Sequence, residues 1–439
     1  MNGHVTLVAA GSRGDVQPLV AVGRGLRRAG LRVRVVALDA YRPLVVAHGL
    51  EHAPLTGMDP RKLLAGGGAD WVRTGRNLVA FLRHYRRLVD RLYLDLFTRV
   101  WDATADTDLV GFGTLTIMAY PIADRRGIPR VALPLQPITR SRGYPSITVP
   151  GPWGRLGGVF NLATHVLGEQ LYWATVRSAV NRALVEVLDV APFPRRGPFR
   201  RIGADDRYPF LYGISSTVFP RPTDWPPWHH LTGFWFLDVD EPLPADVESF
   251  LAADPPPVYV GFGSMVHDDP EWTAAQVVDA VGRLGRRVIV VGDGLRVRGN
   301  PQGVLVVDDV DHARLFPRVA AVVHHGGAGT TAAALRAGVP QVVVPHFADQ
   351  PFWAERVHRL GVAPRPIRVR RLDADRLEAA LREALSPPLR ERAATLSRRV
   401  TAEDGVGAAV ALILRRLDGD GRPGPVRRPR PPTPGGPRR

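Results

Sequence analysis

The run His324-His325-Gly326-Gly327-Ala328-Gly329-Thr330-Thr331, followed beyond the next apolar segment by Asp349-Gln350, has the residue types of a pyrophosphate cradle joined to a clamp for sugar hydroxyls. Glycine lets an anion come close to main-chain N–H groups. Where a strand turns into a helix, those groups and the positive end of the helix dipole point at the same place. His325 can donate to a phosphate oxygen, and the Thr330 and Thr331 hydroxyls add two donors. An adjacent carboxylate and amide can hold two or three sugar hydroxyls. A glycine-rich strand-to-helix turn is by itself also an ordinary packing device, and His324 reads as a strand-end residue. The acid–amide pair at this spacing makes the motif specific.

The flanking pattern supplies the elements. Ala320 to Val323 is short and apolar as a buried strand should be, Thr331 to Gly338 is alanine-rich and helical, and Gln341 to Val344 is a second apolar strand. Asp349-Gln350 then falls at the carboxyl end of that strand, where open parallel sheets bind ligands. A second block, Val258-Tyr259-Val260-Gly261-Phe262-Gly263-Ser264-Met265, runs from a strand into a glycine turn that presents Ser264. A third opens the chain. Val5 to Ala10 is a strand, and Gly11-Ser12-Arg13-Gly14-Asp15 leads into a helix. There Asp15 either caps the helix or acts at the mouth of the sheet, and Arg13 either positions phosphate or is solvated.

These three blocks resemble the family-1 glycosyltransferases of the GT-B fold. The run from His324 through Asp349-Gln350, Pro351, Phe352 and Trp353 to Pro366-Ile367 is most similar to the sterol glucosyltransferase and glycopeptide-antibiotic branches. The resemblance covers the second half and the first stretch of the chain; the middle, Tyr41 to Pro220, is family-like in pattern only. It implies two Rossmann-like domains facing a cleft. It further implies Asp15 as the base that accepts the acceptor's proton, with Ser12, Arg13, Gly14, Ser264, His325, Gly327, Gly329, Thr330, Thr331, Asp349 and Gln350 about the donor. The implied reaction is an inverting transfer of a hexose from a UDP-glucose-like or TDP-deoxysugar donor. The acceptor is a hydroxyl of a lipophilic small molecule: a sterol, a polyketide or peptide natural product, or a glycolipid. An ordinary aspartate, with a pKa near ~3.9, is a weak base for this step. Two alternatives stay open: a nucleotide-sugar epimerase or hydrolase on the same fold, and a non-catalytic sugar-nucleotide-binding auxiliary protein.

One departure bears on the nucleobase. Sterol-branch members carry Pro-His-x-Trp before Leu-Phe-Pro-Arg, whereas this chain reads Asp311-His312-Ala313-Arg314 before Leu315-Phe316-Pro317-Arg318, which leaves thymidine sugars open beside uridine. Acidic triplets of the kind that hold metal in other glycosyltransferases stand at Asp106-Thr107-Asp108, Asp309-Val310-Asp311 and Asp373-Ala374-Asp375. Three in one chain read as chance. The resemblance is to a metal-independent class, so neither metal nor cofactor is expected.

Composition bounds the rest. The 439 residues, 45% hydrophobic, suffice for more than one core. There are no cysteines, which excludes disulfide and thiolate chemistry and suits a reducing cytoplasm. Met1 to Ala10 is too short an apolar run for a signal peptide, and no stretch is long enough to span a membrane. The net charge of +16 comes from scattered arginines with no nucleic-acid-binding motif; arginine with little lysine beside abundant alanine, glycine and proline reads first as the composition of a GC-rich genome, with contact to an anionic lipid surface as the other reading. The pattern is α/β and doubly wound. It divides into an acceptor half, 1–237, a proline-rich linker with one short helix, 238–257, a donor half, 258–417, and a disordered Arg/Pro/Gly tail, 418–439. The last helix is expected to cross back to the first half. Trp71, Phe81, Tyr85, Tyr93 and Trp101, with the proline-marked loop Pro134 to Pro152, lie in the region of an apolar acceptor pocket; an aromatic row at helical spacing is more often core than ligand site, so the region and no single residue is assigned.

Overall fold

The computed structural model describes residues 3–55, 92–148, 156–238, 242–263, 265, 267–292 and 294–419. Trp71, Phe81, Tyr85, Ser264 and nearly all of the 418–439 tail lie outside the described residues.

Two parallel sheets carry the chain. The first contains β1 (His4–Val8), β2 (Arg32–Leu38), β3 (Glu51–Leu55), β4 (Leu109–Gly113), β5 (Arg130–Leu133), β6 (Phe210–Tyr212) and β7 (His229–Leu231), in the order β3-β2-β1-β4-β5-β6-β7. The second contains β8 (Val258–Gly261), β9 (Val288–Val291), β10 (Val304–Val307), β11 (Ala321–His324) and β12 (Gln341–Val343), in the order β10-β9-β8-β11-β12. Every residue of β1, β4, β8 and β11 is buried. Such continuous apolar strands suit a parallel sheet covered by helices on both faces. The α/β doubly wound expectation is met.

Six helices concern the argument. They are α1 (Arg13–Arg28), α2 (Gly158–Glu186), α3 (Ala328–Ala337), α4 (Gln350–Arg359), α5 (Pro387–Thr401) and α6 (Gly405–Leu417). Helix α3 starts three residues earlier than the alanine run suggested. Gly327 takes its N-cap position, and Gly338, in the left-handed conformation, ends it. The linker region holds one short helix, Ala245–Leu251. Ala409 and Ile413 of α6 are buried in the core cluster of β1 and α1, so the last helix packs on the first sheet.

Strand order reverses between β1 and β4 in the first sheet and between β8 and β11 in the second. At such a switch point the flanking helices leave toward opposite faces, and a crevice opens beyond the strand ends. The turn from β1 into α1 and the turn from β11 into α3 therefore lie at the two crevices. Tyr93 belongs to the core rather than the cleft, and Trp101 packs under the Arg126 guanidinium at 3.8 Å.

Candidate active site

The two crevices merge into one cleft of about 3380 Å³, lined from both sheets. On the first side the β1–α1 turn folds back on itself. The Asp15 Oδ2 atom accepts hydrogen bonds from the Ser12 main-chain N–H at 2.8 Å and the Ser12 hydroxyl at 2.9 Å. Gly11 makes room for this, with φ +126°; a Cβ there would sit 2.3 Å from Asp15 Oδ2. Asp15 thus closes the capping box of α1 and lines the cleft at once, so the cap and cleft readings hold together. Its carboxyl is pushed up to about 6 by burial, with the nearby Asp349 charge adding to the rise and the Ser12 bonds opposing it. The expectation of an ordinary aspartate is corrected here: desolvation makes this carboxylate a stronger base.

On the opposite side the β11–α3 turn places His325, Gly327, Gly329 and Thr330 along the cleft. The imidazole of His325 is seated against two glycines. A Cβ on Gly327 would come within 2.5 Å of its Nε2, and one on Gly263 within 3.2 Å of its Cε1. Burial, with His346 and His312 nearby, pushes His325 down to about 4, so the ring is neutral at pH 7. His324 is wholly structural. Its Nδ1 accepts from the Gly326 N–H at 3.1 Å, and its Nε2 lies 2.9 Å from Gln341 Oε1, which fixes a neutral ring with the proton on Nε2.

Thr331 does not reach the site. It is 1% exposed and absent from the cleft wall, because one residue step on a helix turns it roughly 100° from Thr330 and into the interior. Gln350 lines the cleft, yet its amide is already engaged. Oε1 accepts from the main-chain N–H groups of His346 (2.8 Å) and Phe347 (3.2 Å), and Nε2 lies 3.3 Å from the Met265 sulphur. Its carbonyl oxygen is thus taken, and the second N–H of Nε2 is what it has left for a sugar hydroxyl. Asp349 is held more openly: its Oδ2 accepts from Trp353 Nε1 at 3.0 Å and from Gln136 Nε2 at 3.2 Å, while burial raises its carboxyl.

Ser12, Arg13 and Gly14 also line the cleft, and Arg13 forms an ion pair with Asp309 of the other half. Gln136 was not singled out in the sequence, and Asp309 only as part of an acidic triplet read as chance. Both stand in loops at the carboxyl ends of strands, Gln136 after β5 and Asp309 after β10, and that position was the signal for a place in the cleft. Gln136 is itself oriented by Thr114, whose hydroxyl donates to Oε1 at 2.9 Å. The acidic triplets are otherwise occupied. Asp106 binds the Arg34 guanidinium, which holds its carboxyl well below the usual range, Asp311 caps a helix turn through Ala313, and Asp373 caps another through Arg376. Among the described residues no three His, Asp or Glu side chains converge as a metal site.

Two facing parallel α/β sheets with a glycine turn at each switch point make this a GT-B fold. The solved structure of the glycosyltransferase VinC in complex with DTDP has the same fold, with a TM-score of 0.62 and 22% identity over 94% of this chain and 99% of that one. Residues 5–98 match the glycosyltransferase family 28 N-terminal domain, and residues 275–414 match the erythromycin biosynthesis protein CIII-like C-terminal domain. The O-mycaminosyltylonolide 6-deoxyallosyltransferase of Streptomyces fradiae is 37% identical over 423 residues, covering 93% of this chain and 96% of that protein. A sterol 3-beta-glucosyltransferase of Cryptococcus neoformans is 33% identical over 445 residues, and 94% of this chain corresponds to 27% of that longer protein. The chain belongs to the glycosyltransferase family that contains these antibiotic and sterol enzymes. No helix among the described residues is long and apolar enough to cross a membrane.

Proposed function

We propose that the protein is an inverting glycosyltransferase that moves a hexose from a nucleoside diphosphate sugar to a hydroxyl of a lipophilic small molecule, a sterol or an antibiotic aglycone. One observation carries the reading: Asp15, with its carboxyl raised to about 6, faces the same cleft as Asp349, His325 and the N-terminus of α3. In the reaction the acceptor oxygen bonds to the anomeric carbon as its proton passes to the Asp15 carboxylate. The bond from that carbon to the diphosphate oxygen breaks, and the electron pair leaves with the diphosphate. With Oδ2 held by Ser12, Oδ1 is the oxygen left for the acceptor.

The larger contribution comes from charge stabilisation on the departing diphosphate. The first N–H groups of α3, the Thr330 hydroxyl and the neutral His325 ring supply donors there without a metal. Asp349 receives a sugar hydroxyl, and Gln350 shapes the loop that presents it. The relatives' names support a glucose or deoxyhexose as the group moved, and the DTDP in the VinC structure supports a nucleoside diphosphate donor.

The test is titration calorimetry with UDP-glucose and TDP-glucose in the absence of metal, followed by mass spectrometry of a sterol and a macrolide aglycone incubated with the donor that binds. A mass increase of one hexose on the aglycone supports the proposal. Donor consumption that yields only free sugar or an epimer favours the hydrolase or epimerase alternative and sinks the transferase reading.

A further inference from the structure

Helix α2 has two faces that do different things. At roughly 100° per residue, His165, Gly168, Glu169 and Tyr172 share one side, and all four line the cleft beside the first sheet. Val159, Val166, Leu167 and Leu171 fall on the opposite side, within an arc of roughly 140°. They are 73%, 38%, 51% and 56% exposed, and Leu156, just before the helix, is 59% exposed. An apolar arc of that width ordinarily faces a core. Here it faces outward, and contiguous exposed apolar surface marks a site of interaction.

The rim of this face is cationic. The segment after α2 is tied back onto it, with Gln170 Nε2 donating to the Arg196 carbonyl at 3.0 Å and Trp173 Nε1 to the Arg195 carbonyl at 3.0 Å. Arg195 and Arg196 are both exposed. At the other end exposed Arg142 is fixed by Asn161, whose Nδ2 donates to its carbonyl at 2.8 Å. Glu169, the acid within the first turns, points instead toward the cleft and is paired with Arg140 at 2.8 Å.

We propose that the outer face of α2 docks on an anionic lipid bilayer, its aliphatic side chains entering the acyl boundary and its arginines meeting headgroup phosphates. A second copy of the chain fits less well: an isologous contact sets a patch against itself and would bring the two arginine rims together. Docked this way, the cleft wall formed by α2 stands one helix diameter from the bilayer, about 10 Å. A lipophilic acceptor then has a short path from the membrane. That consequence rests on the transferase reading, whereas the docking face does not.

The test uses the full chain and co-sedimentation with two sets of vesicles, phosphatidylcholine alone and an equimolar mixture with phosphatidylglycerol. Two variants are compared with wild type, Leu167→Ser with Leu171→Ser, and Arg195→Gln with Arg196→Gln. Wild type is expected to partition onto the anionic vesicles, and each pair of substitutions to weaken that partition by roughly tenfold. Unchanged affinity for the nucleotide sugar in both variants shows that the fold and the active site are intact. Wild type that fails to bind, or binds neutral vesicles equally well, overturns the proposal. So does binding that both variants retain, which would be carried by the arginine-rich segment after Asp418, and so does a wild-type dimer in light scattering that the leucine pair dissolves.

Discussion

At the scale of single residues, Asp15 does two jobs that pull on its pKa in opposite directions. The Ser12 bonds stabilise the carboxylate, burial and Asp349 disfavour it, and burial wins by about two pH units, from 3.8 to about 6. The folded chain therefore holds this proton more tightly than the unfolded chain. Stability from this group is full below about pH 4 and falls as pH climbs through 6. Two units correspond to at most about 3 kcal/mol, reduced by the partial exposure of the side chain to the cleft. Asp15→Asn keeps an oxygen for the Ser12 bonds and removes the buried charge. We predict that this variant melts at a higher temperature than wild type at pH 7.5, while its turnover drops by about 10²–10⁴-fold and its nucleotide affinity stays nearly the same. In the wild-type enzyme log kcat/KM should rise with unit slope up to about pH 6 and then level. A rise centred near pH 4 would remove the elevated carboxylate from the mechanism. His325 behaves in the opposite sense. Pushed down to about 4, it is neutral across the working range, so nucleotide affinity should not change between pH 6 and pH 8, whereas His325→Ala should weaken it in a calorimetric titration.

At the scale of elements, the site consists of two strand–turn–helix units whose glycines decide where the side chains stand. Gly327 is the sharper case, because the ring of His325 occupies the space that a side chain would need. Gly327→Ala should displace His325 and reduce nucleotide-sugar affinity about as much as His325→Ala does, with little change in melting temperature. Affinity equal to wild type would show that the ring can move without loss. This scale also explains what the sequence could reveal. The turns at Gly11–Asp15 and His325–Thr330 were readable because glycine spacing, a strand before and a helix after all constrain the same few residues. Thr330 and Thr331 look alike in sequence, while the helix sets Thr330 on the cleft wall and turns Thr331 inward. Gln350 showed its chemistry in the sequence but not its partners, since the amides of His346 and Phe347 depend on how one loop closes. Gln136 left no trace, and Asp309 showed only as part of an acidic triplet: each pairs with a residue in the other half of the chain, Asp349 and Arg13, and no local pattern encodes a pairing at that separation.

At the scale of the whole molecule, the angle between the halves is held at two levels. Across the mouth of the cleft lie the Arg13–Asp309 ion pair and the Gln136–Asp349 hydrogen bond. The first is exposed, and such pairs contribute only about 0–1 kcal/mol, so these contacts can open for a ligand. The deeper level is the crossing of α6. Between α5 and α6, Glu403 Oε1 accepts from the hydroxyls of Ser215 (2.9 Å) and Ser216 (3.3 Å) and from the Thr217 N–H (3.3 Å). Two residues on, the chain passes so close to the first half that a Cβ on Gly405 would lie 2.3 Å from the Phe234 carbonyl oxygen. A carbonyl in a packed segment cannot swing aside as a side chain can. Gly405→Ala must therefore lift α6 off its seat on β1 and α1, where Ala409 and Ile413 are buried. Overpacking of this kind costs about 1–3 kcal/mol. The variant should melt at a lower temperature than wild type, and because Asp15 and His325 stand on opposite sides of the cleft, its turnover should fall more than its affinity for the nucleotide sugar. A Gly405→Ala enzyme that loses affinity and turnover in equal proportion would mean that the donor half itself is distorted, and that this crossing does not set the distance between base and donor.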